Sequence, residues 1–134
     1  MTPKYLYHGS PIQGLKVLEP RKISVRSDQK EPRVYAVCTK TEAAIFAYPF
    51  HDRNSHISWH GEPTKIYLNI FNKKLIRKYP ASIYLIKTNS FKSVDESNIE
   101  WYSTKPVEIM KEIRIKDALK YAKRNGAVIT TTIA

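Results

Sequence analysis

A chain of 134 residues, 42% of them hydrophobic and 11% aromatic, has the apolar surface for one folded domain over residues 1–134 and too little length for two. That composition excludes disorder as the main state, and no apolar run approaches the roughly 20 residues of a membrane-spanning helix. Against 12 acidic side chains stand 23 basic ones, a formal charge of +11 that makes the surface an attractor of polyanions, with nucleic acid or nucleotides as the expected partners.

The amino-terminal Met1-Thr2-Pro3-Lys4 lacks the hydrophobic centre of a secretory signal, and Cys38 is the single cysteine, so no internal disulfide can form. The expectation is a soluble cytoplasmic protein. The first strand is Tyr5-Leu6-Tyr7, running straight into His8-Gly9-Ser10. A histidine, a residue without Cβ and a hydroxyl in succession suit a ligand-facing rim, because glycine lets another group approach the main chain closely. Pro11 to Lys30 mixes proline, glycine and charge around a few aliphatics and reads as a long loop or a short helix with irregular flanks.

Arg33 to Cys38 reads as a buried strand. Thr39 and Glu42 have the spacing of a helix capping box, and a short alanine-rich helix over 41–48 follows, stopped by Pro49. His51 to Pro63 is expected to be a polar loop. A strand over 65–71 places Ile66, Leu68 and Ile70 on one face and Tyr67 and Phe71 on the other, so that both faces are covered. Residues 72–79 are expected to be a basic turn or a helical piece, ended by Pro80. Further strands are expected over 81–87, 90–95, 99–103 and 107–115, the last with Val107, Ile109, Ile113 and Ile115 on one face and Glu108, Met110, Glu112 and Arg114 on the other. A helix over 117–125 with Gly126 as its cap precedes an edge strand or tail over 127–133.

About seven strands with one early and one late helix do not alternate as a doubly wound parallel sheet does. The fold class is therefore α+β, a mostly antiparallel split β-sheet core with a few short helices. The four glycines, Gly9, Gly14, Gly61 and Gly126, are scattered and form no nucleotide loop. His51, His56 and His60 lie near one another, but their spacing matches no zinc pattern, and no metal site is expected. Cys38 at the end of an apolar strand reads as a buried, inert thiol rather than a nucleophile. Basic residues gather over 16–26, over 73–78, and in the set Arg114, Lys116, Lys120, Lys123 and Arg124.

Leu6-Tyr7-His8-Gly9-Ser10, Val34-Tyr35-Ala36, Thr39 with the alanine-rich helix, and Glu108 opening a late strand together resemble the ADP-ribosyltransferase superfamily. The resemblance is to the His-Tyr-Glu branch that includes diphtheria-type toxins and poly-ADP-ribose polymerases, and to small bacterial or phage members of it. It implies an ADP-ribosyltransferase-like fold and NAD as the substrate, with ADP-ribose passed to an acceptor such as a nucleic acid. His8 and Gly9, with Ser10 beside them, would hold the nicotinamide ribose and the carboxamide. Tyr35 is the first choice for the aromatic stacked on nicotinamide, with Phe46 or Tyr48 as alternatives, and Thr39 or Thr41 would meet the carboxamide. Glu108 would be the catalytic carboxylate; its bland counterpart is an exposed glutamate paired with Lys111 or Arg114, in which case Glu100 and Glu112 are the reserve acids. Two other functions fit the same residues less well. One is a catalytically degenerate, basic nucleic-acid-binding module. The other is a tRNA 2′-phosphotransferase-like enzyme, whose arginine and histidine set is not evident here.

Overall fold

The computed structural model of the protein describes residues 3–21, 31–48 and 54–131. Within them lie ten strands, β1 (Leu6–Ser10), β2 (Val17–Leu18), β3 (Val34–Val37), β4 (Ser55–His60), β5 (Lys65–Ile70), β6 (Ala81–Ile86), β7 (Lys92–Ser93), β8 (Glu100–Ser103), β9 (Val107–Ile115) and β10 (Val128–Thr131). The two α-helices are α1 (Lys40–Ala47) and α2 (Ala118–Arg124). The class is α+β with mostly antiparallel pairing. One sheet has the order β2-β9-β6-β1-β3-β8-β7, and a smaller one the order β10-β5-β4, in which only β10 and β5 run parallel.

Two apolar clusters sandwich the larger sheet. On one side Val37, Ala81, Ile83 and Ile115 meet α1, α2 and the buried row Ile66, Leu68 and Ile70 of β5. On the other side Leu6, Leu18, Val34, Ala36, Tyr84, Ile86, Trp101 and Val107 close over one another. Successive strand residues point to opposite faces, so β1, β3 and β6 contribute alternate residues to both clusters. Both helices start where the sequence signals place them: Thr39 Oγ1 accepts the Glu42 N–H at 3.1 Å, and the Asp117 carboxylate accepts that of Lys120 at 3.4 Å. Gly126, at φ 104°, follows α2 in the left-handed region that costs glycine little. No helix among the described residues is long and apolar enough to cross a membrane.

Several expectations change. Residues 55–60 form a strand, not a loop: Ile57 and Trp59 alternate with His56, Ser58 and His60 and pair residue by residue with β5. Of the β5 faces, Ile66, Leu68 and Ile70 are buried, whereas Tyr67 is half-buried and Phe71 exposed, so only one face is covered. The strand expected over 90–95 shrinks to β7, and the long loop after β1 gains the short β2, paired with β9. Residues 128–131 form an edge strand of the small sheet. Pro49, His51, residues 22–30 with the end of the first basic run, and residues 132–134 lie outside the described residues.

The largest correction concerns β9. Its register against β6 slips between Leu85 and Ile86, which face Lys111 and Ile109, so Met110 is an extra residue in a β-bulge. Because side chains alternate with a period of two, one inserted residue exchanges the faces beyond it. Val107 and Ile109 join the cluster of Leu6 and Tyr84, but Ile113 and Ile115 join the cluster under the helices. Glu112, opposite Tyr84, thereby shares a face with Ile109 rather than with Glu108.

Candidate functional site

β1 and β3 pair at a single position, Tyr7 with Val37, and then separate. A row of residues crosses the sheet there: Tyr7 faces Val37, and Val37 faces Glu100 on β8. Tyr35, two residues before Val37, shares its face and lies opposite Tyr102. Above this row stands Phe46 of α1, its ring 6.3 Å from that of Trp59. The result is a cleft of about 150 Å³ lined by Tyr7, His8, Gly9, Tyr35, Phe46 and Glu100. Its walls are aromatic and its one acid is Glu100.

A second cavity, of about 340 Å³, opens from the same separation and is also lined by His8, Gly9 and Tyr35, together with Ser10, Glu19, Arg21 and Arg33. His8 Nδ1 donates to the Tyr35 carbonyl at 2.6 Å, bridging the strands where their ladder has ended. Burial pushes the imidazole below its ordinary pKa, against that hydrogen bond and with help from the nearby charge of Arg21. His8 is therefore neutral at pH 7, with the lone pair of Nε2 as an acceptor. Arg21 and Arg33 are held side by side by two main-chain hydrogen bonds of 2.9 Å. The Arg33 guanidinium lies 3.9 Å from the Tyr102 ring centroid and 3.3 Å from Glu31, and it hydrogen-bonds the Tyr35 phenol. That cluster fixes the Tyr35 ring at the mouth of the cleft.

His8, Gly9, Ser10 and Tyr35 thus come together, and other candidates do not. Tyr48 is 2% exposed and packs edge-on against Tyr79, 4.9 Å between centroids; burial pushes its phenol up to about 12. It is a core residue facing away from the cleft. Thr39 caps α1 and lies in a separate polar groove, and Thr41 Oγ1 donates to the Asn125 carbonyl at 3.0 Å. Glu108 is exposed on β9 opposite Val17, and its partner is Lys87 at 3.2 Å, not Lys111 or Arg114. It lines neither cavity. Gly9 leaves room for the protein itself: a Cβ there would stand 1.7 Å from the Ala43 carbonyl oxygen of α1.

Glu112 lies elsewhere again. Its carboxylate accepts the Ser82 hydroxyl at 2.6 Å, the Gly14 N–H at 2.8 Å and the Tyr84 hydroxyl at 3.4 Å, and Arg114 stands at 3.3 Å. These contacts, the Ser82 bond foremost, hold its pKa below the ordinary carboxylate value despite some desolvation. Glu112 anchors the segment after β1 to the sheet. A depressed carboxylate pKa adds stability that is present above the unfolded value, about 4.3, and is lost as pH falls through the folded one. Glu112→Gln is accordingly expected to lower stability at pH 7 and to flatten its decline below pH ~4.3, measured by urea unfolding across pH. A parallel offset from the parent at all pH values would contradict this.

Arg21 and Arg33 are the site residues that sequence reasoning missed; the signal for Arg33 was its position two residues before Tyr35 on the same strand face. Fold and site define an α+β protein with an aromatic cleft, carrying one acid, at a sheet separation. No family model, no curated protein and no solved structure matches the chain.

Proposed function

We propose that the cleft binds NAD and that the protein is an ADP-ribosyltransferase-like enzyme in which Glu100, not Glu108, is the catalytic carboxylate. The observation that supports this most is the joint lining of one small cleft by His8, Tyr35, Phe46 and Glu100. A flat, weakly polar ring such as nicotinamide fits a narrow space with aromatic walls, where offset stacking orients the bond to be broken. The neighbouring cavity offers Arg21 and Arg33, whose guanidinium forks suit pyrophosphate oxygens. Neutral His8 accepts a ribose hydroxyl at Nε2 while its Nδ1–H stays donated to the Tyr35 carbonyl.

The chemistry then follows from charge. The bond between ribose C1 and the nicotinamide nitrogen breaks heterolytically, its electron pair leaving with nicotinamide, and the sugar takes on oxocarbenium character. The Glu100 carboxylate stabilises that charge, an effect worth several kcal/mol where the bound substrate displaces water. The acceptor's nucleophile bonds to C1 and passes its proton to solvent.

Titration calorimetry with NAD, paired with an assay of released nicotinamide, tests the proposal. Binding with slow release is expected. A protein that neither binds nor consumes NAD would remove this function. Glu108→Gln is expected to leave release unchanged, because Glu108 lines neither cavity; a large loss in that variant would return the catalytic role to it.

A further inference from the structure

Two of the basic runs, 73–78 and 114–124, are far apart in the chain and adjacent in the fold. The Ala118 N–H at the start of α2 donates to the Tyr79 carbonyl at 2.8 Å, which seats the helix beside the segment that ends the first run. Between them lies a groove of about 400 Å³ lined by Lys78, Lys116, Asp117, Lys120, Tyr121 and Arg124. The four cations are exposed, and none forms an ion pair among the described residues. The single acid, Asp117, is turned to the Lys120 main chain as the helix cap. Tyr121 is half-buried, its ring packed against the core beneath.

Cations concentrated without acid partners repel one another, and this arrangement stores that repulsion on one face. A partner supplying a row of negative charges at regular spacing relieves it. An aromatic wall set among the cations adds a surface on which an unpaired base can stack.

We propose that this groove binds single-stranded nucleic acid, with backbone phosphates on Lys78, Lys116, Lys120 and Arg124 and a base against Tyr121. The site is distinct from the cleft at the β1–β3 separation and stands whether or not NAD is the substrate there. A single strand is favoured over a duplex because stacking on Tyr121 needs a base that is not paired. RNA and DNA share the phosphodiester chemistry, and the choice between them is left to the measurement.

The test is fluorescence anisotropy with labelled 12-nucleotide RNA and DNA of one sequence, over a salt series and without NAD. Four phosphate contacts to a single strand predict a slope of log affinity against log salt of about −3. Lys116→Ala combined with Lys120→Ala should weaken binding at 0.1 M salt about 10- to 30-fold and reduce the slope by about 1.4. Lys92→Ala combined with Lys105→Ala removes the same charge from residues that do not line the groove and should change affinity less than about threefold. Thermal melts of both variants establish that they are folded. Equal weakening by the two pairs would overturn the groove, since charge alone would then explain binding. A preference for duplex, or binding to phosphatidylserine vesicles without binding to either oligonucleotide, would overturn the single-strand assignment.

Discussion

Glu100→Gln is expected to cut nicotinamide release about 100- to 1000-fold while leaving NAD affinity within about threefold, because the lost interaction belongs to the transition state. The substitution keeps the size and polarity of the side chain and removes its charge, and charge is what an oxocarbenium-like sugar demands. The comparison with Glu108→Gln makes the result informative. Both glutamates lie on late strands of the same sheet, yet β8 places Glu100 beside Val37 and the cleft, while β9 places Glu108 at the β2 edge beside Lys87. Release measured at saturating NAD, with affinity from calorimetry, separates chemistry from binding. If Glu100→Gln turns NAD over at the parent rate, the carboxylate has no catalytic role.

Gly9→Ala is expected to be the most damaging single-methyl change in the chain, costing about 3 kcal/mol or more, which corresponds to a fall in melting temperature of about 10 °C. The added Cβ would meet the Ala43 carbonyl oxygen at 1.7 Å, its carbon at 2.7 Å and the Ala47 nitrogen at 3.1 Å. All three are main-chain atoms, so no rotamer change relieves the clash and the helix itself must lift. Alanine at 43 and 47, one helical turn apart, keeps that face of α1 thin enough to rest on β1. A thermal melt of Gly9→Ala within about 2 °C of the parent would show that α1 does not sit this close.

The sequence was legible where periodicity is strong and local. β1, β3, β5 and β6 follow from alternating apolar residues, the start of α1 from the capping side chain of Thr39 and the end of α2 from Gly126, whereas Asp117, read as the first helical residue, is the cap before α2. β4 was missed because His56, Ser58 and His60 fill its outward positions and Ser55 begins its inward row, so the alternation of Ile57 and Trp59 was hidden among polar neighbours. Tyr48 and Phe46 looked interchangeable in the sequence, but Phe46 lies within α1 and turns to the cleft, while Tyr48 is the extended residue that ends the helix and turns into the core. Glu100 could be named only as a reserve, because which strand lies beside β3 is a matter of long-range pairing. Gly9 was singled out for close approach, and the group that approaches where its Cβ would stand is the main chain of α1, while Gly9 also lines both cavities.

The bulge at Met110 makes the length of β9 matter more than its composition at that point. Met110 is 57% exposed, so nearly any side chain there would serve. Removing the residue altogether would turn Ile113 and Ile115 out towards the strap after β1 and swing Glu112 and Arg114 under the helices. The protein has in effect written one of its packing instructions as a count of residues. Substitution at Met110 leaves that count intact, and deletion erases it.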